Sequence, residues 1–306
     1  MPLSTTKCFI INTKKSTFNR DNLLAMFKIK VFIFISLIKN SFCPCGKDRR
    51  MNEFEKSETQ YKIEKIATLP SVINESSGIV MINDSVFWTI NDGGGKSELY
   101  EVDRKGTLQS VIKIPNSTNV DWEEITLDKK GTIYIGDFGN NDNTRKDLCI
   151  YKYNPLNQTT ERIDFSYLDQ HTFPPEKKNK NFDCEAMFHL NDSLYLVSKN
   201  RGNKMVRFYK MPDKAGVYQL LPFYTTYVNS MITGASIDYK NEKIALLSYG
   251  KFYLLDIEQG ESLHLKMISC VRFARNAQAE GIAYGKNDVL FVTNEQGTVF
   301  KISPKK

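Results

Sequence analysis

The sequence predicts an all-β protein that is built from one repeated unit. Five stretches of the 306-residue chain align without a gap over fifteen residues, and they start at Gly78, Glu124, Ala186, Ala235 and Gly281. Each stretch has a short apolar run, a polar turn that begins five residues after its start, and a second run rich in β-branched and aromatic residues. Two such runs around a polar turn are typical of a β-hairpin. No long helical period competes with them.

Further strands follow each hairpin along the chain. The polar turns lie at 83–85, 129–131, 191–193, 240–242 and 286–288. A third strand is predicted at 99–102, 148–153, 206–210, 252–256 and 299–302, and a fourth at 108–114, 160–165, 217–224 and 262–268. The starts of the repeats are 46 to 62 residues apart. This pattern indicates the blades of a β-propeller, because such a unit buries its faces only against its neighbours.

The last repeat lacks a fourth strand, and an earlier segment can supply it. Residues 61–69 alternate between polar and apolar side chains and precede the first repeat. We expect them to form the outer strand of the last blade, which closes the ring and removes an exposed sheet edge. Five blades are therefore favoured. Six is the alternative, if residues 164–181 hide a degenerate blade, but Pro174 and Pro175 favour a loop there.

The positive charge of the chain is concentrated near its N-terminus. The net charge is +7, but residues 1–50 carry ten Lys or Arg and two Asp, so residues 51–306 sum to −1. Binding to nucleic acid requires clustered cations on the folded domain. The sequence therefore predicts no nucleic-acid partner.

Residues 26–45 have the pattern of an export signal. A short positive segment at 26–30 precedes the apolar run at 31–38, which is too short to span a bilayer but long enough for a secretory signal. Because Met26 fits the start of this signal, we expect residues 1–25 to be an upstream extension that is not native.

Two cysteines, Cys43 and Cys45, follow the apolar run. A cysteine at this place resembles the lipidation site of bacterial lipoproteins, although Phe42 and Pro44 stand where that pattern has small residues. A lipoprotein, a soluble exported protein and a chance apolar stretch are the three alternatives. The first predicts an acylated Cys43 or Cys45 and a lipid anchor in the periplasm or outer membrane. Residues 46–60 are polar and are expected to form a tether.

The repeat also predicts where a functional site should lie. In a propeller the first strand of a blade lines the channel and the second returns beside it, so the residue before the first strand and the residue after the second share one face of the ring. The first column contains Ser77, Glu123, Glu185, Gly234 and Glu280; the second contains Asn91, Asp137, Lys199, Ser248 and Asn294, with Asp92, Asn200 and Glu295 one position later. Carboxylates and amides from at least four blades are therefore expected at one mouth of the channel.

Two interpretations of this cluster are open. Ca²⁺ takes about six to eight oxygen ligands from carboxylates, amides and waters, and crowded carboxylates need a cation or shifted pKa values. Alternatively, the same side chains cap strand ends and bind backbone N–H groups of the neighbouring blade. Lys199 would lower the affinity for a cation, and it could instead pair with Glu185 or hold an anionic substrate.

The remaining cysteines and histidines predict no catalytic centre. The cysteines between residues 61 and 306 are odd in number and do not indicate a disulfide framework: Cys149, Cys184 and Cys270. His171 lies in the predicted loop, and His189 and His264 occupy strand positions where we expect structural roles. A histidine at the channel mouth would have favoured acid–base catalysis.

Five motif strings resemble those of bacterial propellers in the SdiA-regulated and esterase-like-phytase families. The strings are Asp121-Trp122-Glu123-Glu124-Ile125, Tyr134-Ile135-Gly136-Asp137-Phe138-Gly139-Asn140-Asn141, Asp183-Cys184-Glu185-Ala186, Ile232-Thr233-Gly234-Ala235 and Ala279-Glu280-Gly281-Ile282-Ala283. The resemblance covers about residues 60–303 and extends more distantly to the gluconolactonase and paraoxonase propellers. Those lactonases imply Ca²⁺ at the channel mouth, on the matching residues Asn91, Glu123, Asp137, Glu185, Glu280 and Asn294. Lys199 departs from their pattern.

Two functional hypotheses follow from the sequence. The first is a monomeric propeller exported to the cell envelope, whose channel mouth binds a small molecule, a glycan or an envelope protein. Its expected binding residues are Asp92, Glu123, Asp137, Glu185, Lys199, Glu280 and Asn294. The second is a Ca²⁺-dependent hydrolase of a lactone or a phosphoester, in which Glu123, Asp137, Glu185 and Asn294 hold the metal.

Overall fold

The structure is a computed structural model that describes residues 45–240, 242–258, 263–273 and 278–305. It begins with a short helix, α1 (Gly46–Asn52), and a strand, β1 (Tyr61–Thr68). Over the described residues the strands, β1 included, form five antiparallel groups of four around a ring, and one further strand adds to the second group. This arrangement confirms the predicted five-bladed propeller.

The blades follow one another along the chain. Blade 1 contains β2 (Ser76–Met81), β3 (Val86–Asn91), β4 (Glu98–Asp103) and β5 (Leu108–Lys113). Blade 2 contains β6 (Trp122–Leu127), β7 (Ile133–Asp137), β8 (Cys149–Asn154) and β9 (Thr159–Tyr167), and blade 3 contains β10 (Cys184–Leu190), β11 (Ser193–Ser198), β12 (Met205–Pro212) and β14 (Pro222–Tyr227). Blade 4 contains β15 (Ile232–Asp238), β16 (Lys243–Ser248), β17 (Lys251–Glu258) and β18 (His264–Arg272). Blade 5 contains β19 (Ala279–Tyr284), β20 (Leu290–Asn294), β21 (Thr298–Pro304) and β1.

The ring is closed by its first strand, as the sequence predicts. Strand β1 pairs antiparallel with β21, with Ile63 opposite Ile302, so the chain segment that precedes blade 1 completes blade 5. Between β9 and β10 the chain forms a loop with one 3₁₀ turn, Lys177–Asn179. The alternative of a sixth blade in this interval is therefore wrong.

The predicted fourth strand of the third repeat, 217–224, is divided between two blades. Strand β13 (Gly216–Leu220) pairs parallel with β9 and adds a fifth strand to blade 2, whereas β14 completes blade 3. Pro222 stands at the point where the chain changes partner. Because proline has no N–H to donate to a ladder, it interrupts what reads in the sequence as one continuous β-rich run.

The five innermost strands lie close together around the channel, and one side chain crosses it. The Glu124 carboxylate accepts the N–H of Ala235 in blade 4 at 2.9 Å and the N–H of the adjacent residue Ile125 at 3.0 Å. The equivalent places in the other repeats hold glycine or alanine. A Cβ on Gly78 would lie 2.6 Å from the nearer Glu124 oxygen, so the small side chains leave the space that Glu124 fills.

Residues 46–52 do not form the predicted polar tether. Helix α1 contacts β14 and β18, the outer strands of blades 3 and 4. Asp48 of this helix is fully buried; it accepts the N–H of Asn229 at 2.6 Å and pairs with Lys251 Nζ at 2.7 Å. The sequence interpretation failed because the polar residues of this segment have partners about 200 positions away along the chain.

A disulfide joins Cys45 to Cys270 in β18. The odd cysteine count of residues 61–306 does not indicate this disulfide, because Cys45 lies outside that range. Lipidation at Cys45 is contradicted, because one sulfur cannot carry both a lipid and a disulfide bond. Cys43 lies outside the described residues, as do the predicted upstream extension and residues 26–44 of the predicted signal. Over the described part of the chain, helices are too short or too polar for one to cross a membrane.

The buried Asp48–Lys251 pair gives a direct test of the helix docking. Asp48→Asn leaves the Lys251 ammonium buried without its counter-charge, and we expect a loss of about 3–5 kcal/mol in the free energy of unfolding. The matched control is Asp84→Asn, which breaks the exposed Lys286–Asp84 pair and should cost less than about 1 kcal/mol. Urea unfolding with the disulfide intact measures both. Equal effects would contradict the docked helix.

Candidate functional site

A repeated irregularity of the inner strands places acidic side chains at the channel mouth. In every blade the pairing of the first and second strands shifts register at the mouth end, as in a β-bulge. The residues left out of register include Glu123, Glu185 and Glu280. Bulges re-aim a side chain away from the normal alternation. In blade 4 the extra residue is Thr233, where the sequence alignment placed Gly234.

Three carboxylates come together most closely. One oxygen each of Asp92, Asp121 and Glu123 lie within 4.8 Å of one another. Asp121 is held between two glycines, since a Cβ on either Gly93 or Gly139 would collide with its carboxylate. The loops after β3 and β7 therefore need glycine at these positions for their backbones to approach Asp121.

Burial and mutual repulsion make this cluster costly to ionise. Burial, with a contribution from the neighbouring Asp92, raises the pKa of Asp121 to about 6. Burial and the nearby Glu185 raise the pKa of Glu123 well above its usual value. Glu295 lies within electrostatic range of Glu280, and burial with this neighbour raises its pKa to about 7. A cation at the mouth would relieve this repulsion.

Two buried oxygens at the mouth have no partner within the described ranges. These are Asn91 Oδ1 and Glu280 Oε2, and both residues are more than nine-tenths buried. The other Glu280 oxygen accepts the hydroxyl of Tyr249 at 2.9 Å, and the Asn91 amide donates to the carbonyl of Val72 at 2.9 Å. Buried polar atoms are nearly always hydrogen-bonded. These two oxygens are therefore available to a ligand.

Other predicted binding residues are engaged within the protein. Asp137 Oδ1 accepts the N–H of Asp121 at 3.0 Å and binds Arg145 at 2.9 Å. Asn294 accepts the N–H of Thr298 at 2.8 Å in the turn after β20. Asp137 and Asn294 therefore bind backbone N–H groups and a neighbouring cation, as expected if their roles are structural.

Lys199 pairs with Glu185, which is one of the roles that the sequence analysis left open. Its Nζ lies 2.8 Å from Glu185 and 5.3 Å from the centre of the Tyr249 ring. Burial alone would lower the Lys199 pKa, but Glu185, Tyr249 and Glu280 hold the ammonium and raise it. Arg201 also binds Glu185, at 3.3 Å, so this carboxylate is neutralised by cations of the protein.

The sequence columns miss several residues of the mouth. Asp121 and Asp183 are the most important, and a signal for them exists: each stands two positions before a bulge glutamate, in Asp121-Trp122-Glu123 and Asp183-Cys184-Glu185. The other missed residues are Arg145, Arg201 and Tyr249. The two arginines come from loops that have no common position in the repeat, whereas Tyr249 occupies the repeat position of Asp92 and Glu295.

The residues best placed for a hard cation are thus Asp92, Asp121 and Glu123. Asn91 precedes Asp92 directly, and Glu280 lies within electrostatic range of it. Carboxylate and amide oxygens suit Ca²⁺. Ring and mouth together define a five-bladed β-propeller with an acidic site at one end of its channel.

A comparison with protein families places the chain more narrowly. The family model described as SdiA-regulated matches residues 52–303. The chain therefore belongs to the SdiA-regulated family, as the motif strings indicate. A search of curated proteins found no match.

Solved structures share the propeller fold at low sequence identity. A streptogramin B lyase is 12% identical, with a TM-score of 0.42, over 82% of this chain and 100% of the lyase. A PQQ-bound aldose sugar dehydrogenase from Streptomyces coelicolor is 8% identical, with a TM-score of 0.47, over 81% and 99%. A gluconolactonase from Xanthomonas campestris is 9% identical, with a TM-score of 0.44, over 80% of each chain.

The raised pKa values predict how pH acts on the metal-free protein. The pKa of Asp121 is raised from 3.8 to about 6 and that of Glu295 from 4.5 to about 7. Between about pH 4 and pH 7 the folded state therefore binds more protons than the unfolded state. The contribution of these groups to the free energy of unfolding must therefore fall as pH rises through this window.

Thermal melts in EDTA test this pH dependence. Glu295→Gln removes one of the groups with a raised pKa. The melting temperature of this variant, relative to that of the wild type, should therefore increase as the pH rises from about 4.5 to about 7.5. The control Asp142→Asn alters a carboxylate that is 86% exposed and should follow the wild type. A constant difference between Glu295→Gln and the wild type would contradict the prediction.

Proposed function

We propose that this protein is an exported β-propeller that binds a divalent cation, Ca²⁺, at its channel mouth and uses this site to bind a small molecule, a glycan or an envelope protein. The observation that carries the proposal is the cluster of Asp92, Asp121 and Glu123, whose oxygens lie within 4.8 Å of one another. Carboxylates packed this closely require a cation or retained protons. The unpartnered oxygens of Asn91 and Glu280 supply further hard ligands.

The electrostatics of the mouth support a cation in one part of the site and an anionic or polar ligand beside it. Glu185 is neutralised by Lys199 and Arg201, whereas Asp92 and Glu123 have no ion pair closer than 4 Å among the described residues. A bound Ca²⁺ would keep open coordination positions, and these can accept hydroxyl or carboxylate oxygens of a ligand. Such oxygens are common to glycans, metabolites and protein loops.

Two features support export. The Cys45–Cys270 disulfide is of a kind that persists in oxidising compartments such as the periplasm. The predicted signal sequence lies just before Cys45. We therefore place the protein in the cell envelope, with Cys43 as the proposed acylation site of a lipoprotein.

A second candidate function is favoured by Glu295. A carboxyl group whose pKa is raised to about 7 is suited to general acid–base catalysis near neutral pH. Together with a metal at Asp92, Asp121 and Glu123, it could serve a Ca²⁺-dependent hydrolase of a lactone or a phosphoester. The test is a panel of lactones and aryl phosphates. Hydrolysis that requires both Ca²⁺ and Glu295 would favour this candidate over the binding protein.

Calcium binding is the decisive measurement for the proposed site. Calorimetric titration of the EDTA-treated protein should show saturable binding, and Ca²⁺ at about 100 times its Kd should stabilise the fold by about 2.7 kcal/mol. Asp121→Asn and Glu123→Gln should each reduce the affinity at least about tenfold, because each removes a charged ligand. Asp142→Asn, an exposed charge change on a nearby loop, is the matched control.

Two results would reject the proposed site. A melting temperature that changes neither after EDTA treatment nor after Ca²⁺ addition would show that the fold binds no stabilising Ca²⁺. Wild-type Ca²⁺ affinity in the double variant Asp121→Asn with Glu123→Gln would place the cation elsewhere.

Mass spectrometry of the mature protein tests the export part of the proposal. We expect a mature N-terminus at an acylated Cys43 and, without reduction, a peptide cross-linked through Cys45 and Cys270. Both follow from the proposed lipoprotein together with the disulfide of the structure. A free N-terminus beyond Cys45 would contradict the lipid anchor, and it would also remove the Cys45 partner of the disulfide.

A further inference from the structure

Three strand ends in blades 2 and 3 carry a second cluster at the end opposite the mouth. His189 lies near the end of β10, Asp128 follows β6 directly, and Asp213 follows β12. All three residues are buried. We propose that Asp128, His189 and Asp213 form a binding site for a divalent transition metal ion, Zn²⁺ being the best fit.

The distances within this cluster are close to those of a metal site. One ring nitrogen of His189 and one oxygen from each aspartate lie within 4.8 Å of one another, and His189 Nε2 lies 2.9 Å from Asp213 Oδ2. Zinc binds nitrogen and oxygen at about 2.0–2.2 Å, which places tetrahedral ligands roughly 3.3 Å apart. Asp128 Oδ1 accepts the N–H groups of Lys130 and Thr132, each at 2.8 Å, so a metal here requires the aspartates to move closer to His189 and Asp128 to loosen these turn contacts.

The protonation chemistry of His189 permits metal binding through Nε2. In the metal-free protein Nε2–H donates to the Asp213 carboxylate, and a metal at this place must displace that proton. Nδ1 is buried and has no hydrogen-bond partner among the described residues, so no donor already points at it. A metal at Nε2 shifts the ring proton to Nδ1, where the described residues offer no acceptor, so this change of tautomer has a cost that the metal–ligand bonds must exceed. A histidine with only structural work is usually satisfied at both nitrogens.

The surroundings favour a cation and orient the ligands. The hydroxyl of Tyr134 donates to Asp213 Oδ2 at 3.1 Å, and its ring stacks on that of His189. Such second contacts are typical of residues that hold metal ligands in place. Lys152 donates to the Asp213 carbonyl at 2.9 Å and is the ammonium group nearest to Asp213 that the described contacts include. Two carboxylates and one ammonium leave a negative balance that a divalent ion reverses.

The three proposed ligands are buried and do not line the nearby channel cavity, which Tyr239 connects to them only through the His189 carbonyl. Three protein ligands leave one tetrahedral position for water or a further ligand. The Tyr239 hydroxyl lies 2.8 Å from the His189 carbonyl, and Tyr239 also lines a cavity of about 200 Å³ with Leu127 at this end of the channel. The imidazole ligand distinguishes this site from the mouth, where every candidate ligand atom is oxygen.

Metal binding can be measured on the folded wild-type protein. The full chain, without an affinity tag and after treatment with a chelator, is titrated with Zn²⁺ against a chromophoric competitor. We expect one equivalent to bind with a Kd below about 1 μM, in the range of three-ligand zinc sites. Long-range ¹H–¹⁵N spectra should then show ring signals of three histidines, of which Zn²⁺ shifts only that of His189.

Variants locate the ion independently. His189→Gln and Asp213→Asn should each weaken Zn²⁺ binding by at least about 100-fold, and Tyr134→Phe by about 10- to 100-fold as a residue that orients a ligand. His171→Gln changes an exposed histidine and should bind Zn²⁺ like the wild type, as should the mouth variant Asp121→Asn. Circular dichroism checks that each variant is folded.

Two outcomes would overturn the proposal. The first is no Zn²⁺ binding by the folded wild-type protein below about 10 μM, a result that does not depend on any variant. The second is a shift of the His171 or His264 ring signals in place of His189. Loss of Ca²⁺ binding at the mouth would leave this site untouched, because the two clusters share no residue.

Discussion

The close approach of five inner strands around one carboxylate is the constraint on which this propeller depends. Glu124 crosses the channel and accepts backbone N–H groups from its own blade and from blade 4. Burial raises its pKa well above the usual value, and the N–H groups around it oppose that rise. The other repeats can surround this side chain only because they have glycine or alanine at the matching position. The four small residues and Glu124 therefore pack together and depend on one another's size.

Glu124 also separates the two ends of the channel. The inner strands start at the acidic mouth and end at the opposite face. The first residues of each strand therefore lie at the mouth, and its last residues lie at the other end. In β10, for example, Glu185 stands at the start and His189 near the other end. Glu124 is fully buried between the ends that carry the two clusters, and the clusters share no residue. The two proposed sites are therefore chemically independent, although the same strands position them.

The sequence predicts the fold well because the information lies in local patterns. Hairpins, polar turns and the closing strand all depend on neighbours within a few residues, and the structure contains each of them. The errors arise where distant residues decide. Asp48 is buried only because Lys251 lies opposite it, and Cys45 is linked to Cys270. The partner change at Pro222 likewise depends on which sheet edge is free.

The candidate site is predictable in position and less so in detail, for a physical reason. The bulge at the mouth recurs in each blade, so the repeat identifies Glu123, Glu185 and Glu280 without a structure. Which carboxylate stays available depends on cations that reach it from outside the repeat. Lys199 and Arg201 neutralise Glu185, and Arg145 engages Asp137.

Asp121 shows how the available group arises. Gly93 and Gly139 let two loop backbones close upon its carboxylate, and they also exclude the side chains that could have paired with it. The result is a desolvated acid beside Asp92 and Glu123 that the described protein contacts do not fully compensate. A folded protein retains such a group when a ligand supplies the missing interaction, because an uncompensated buried charge is otherwise costly. On this argument the proposed affinity of the mouth for a cation would originate in the glycines as much as in the acids.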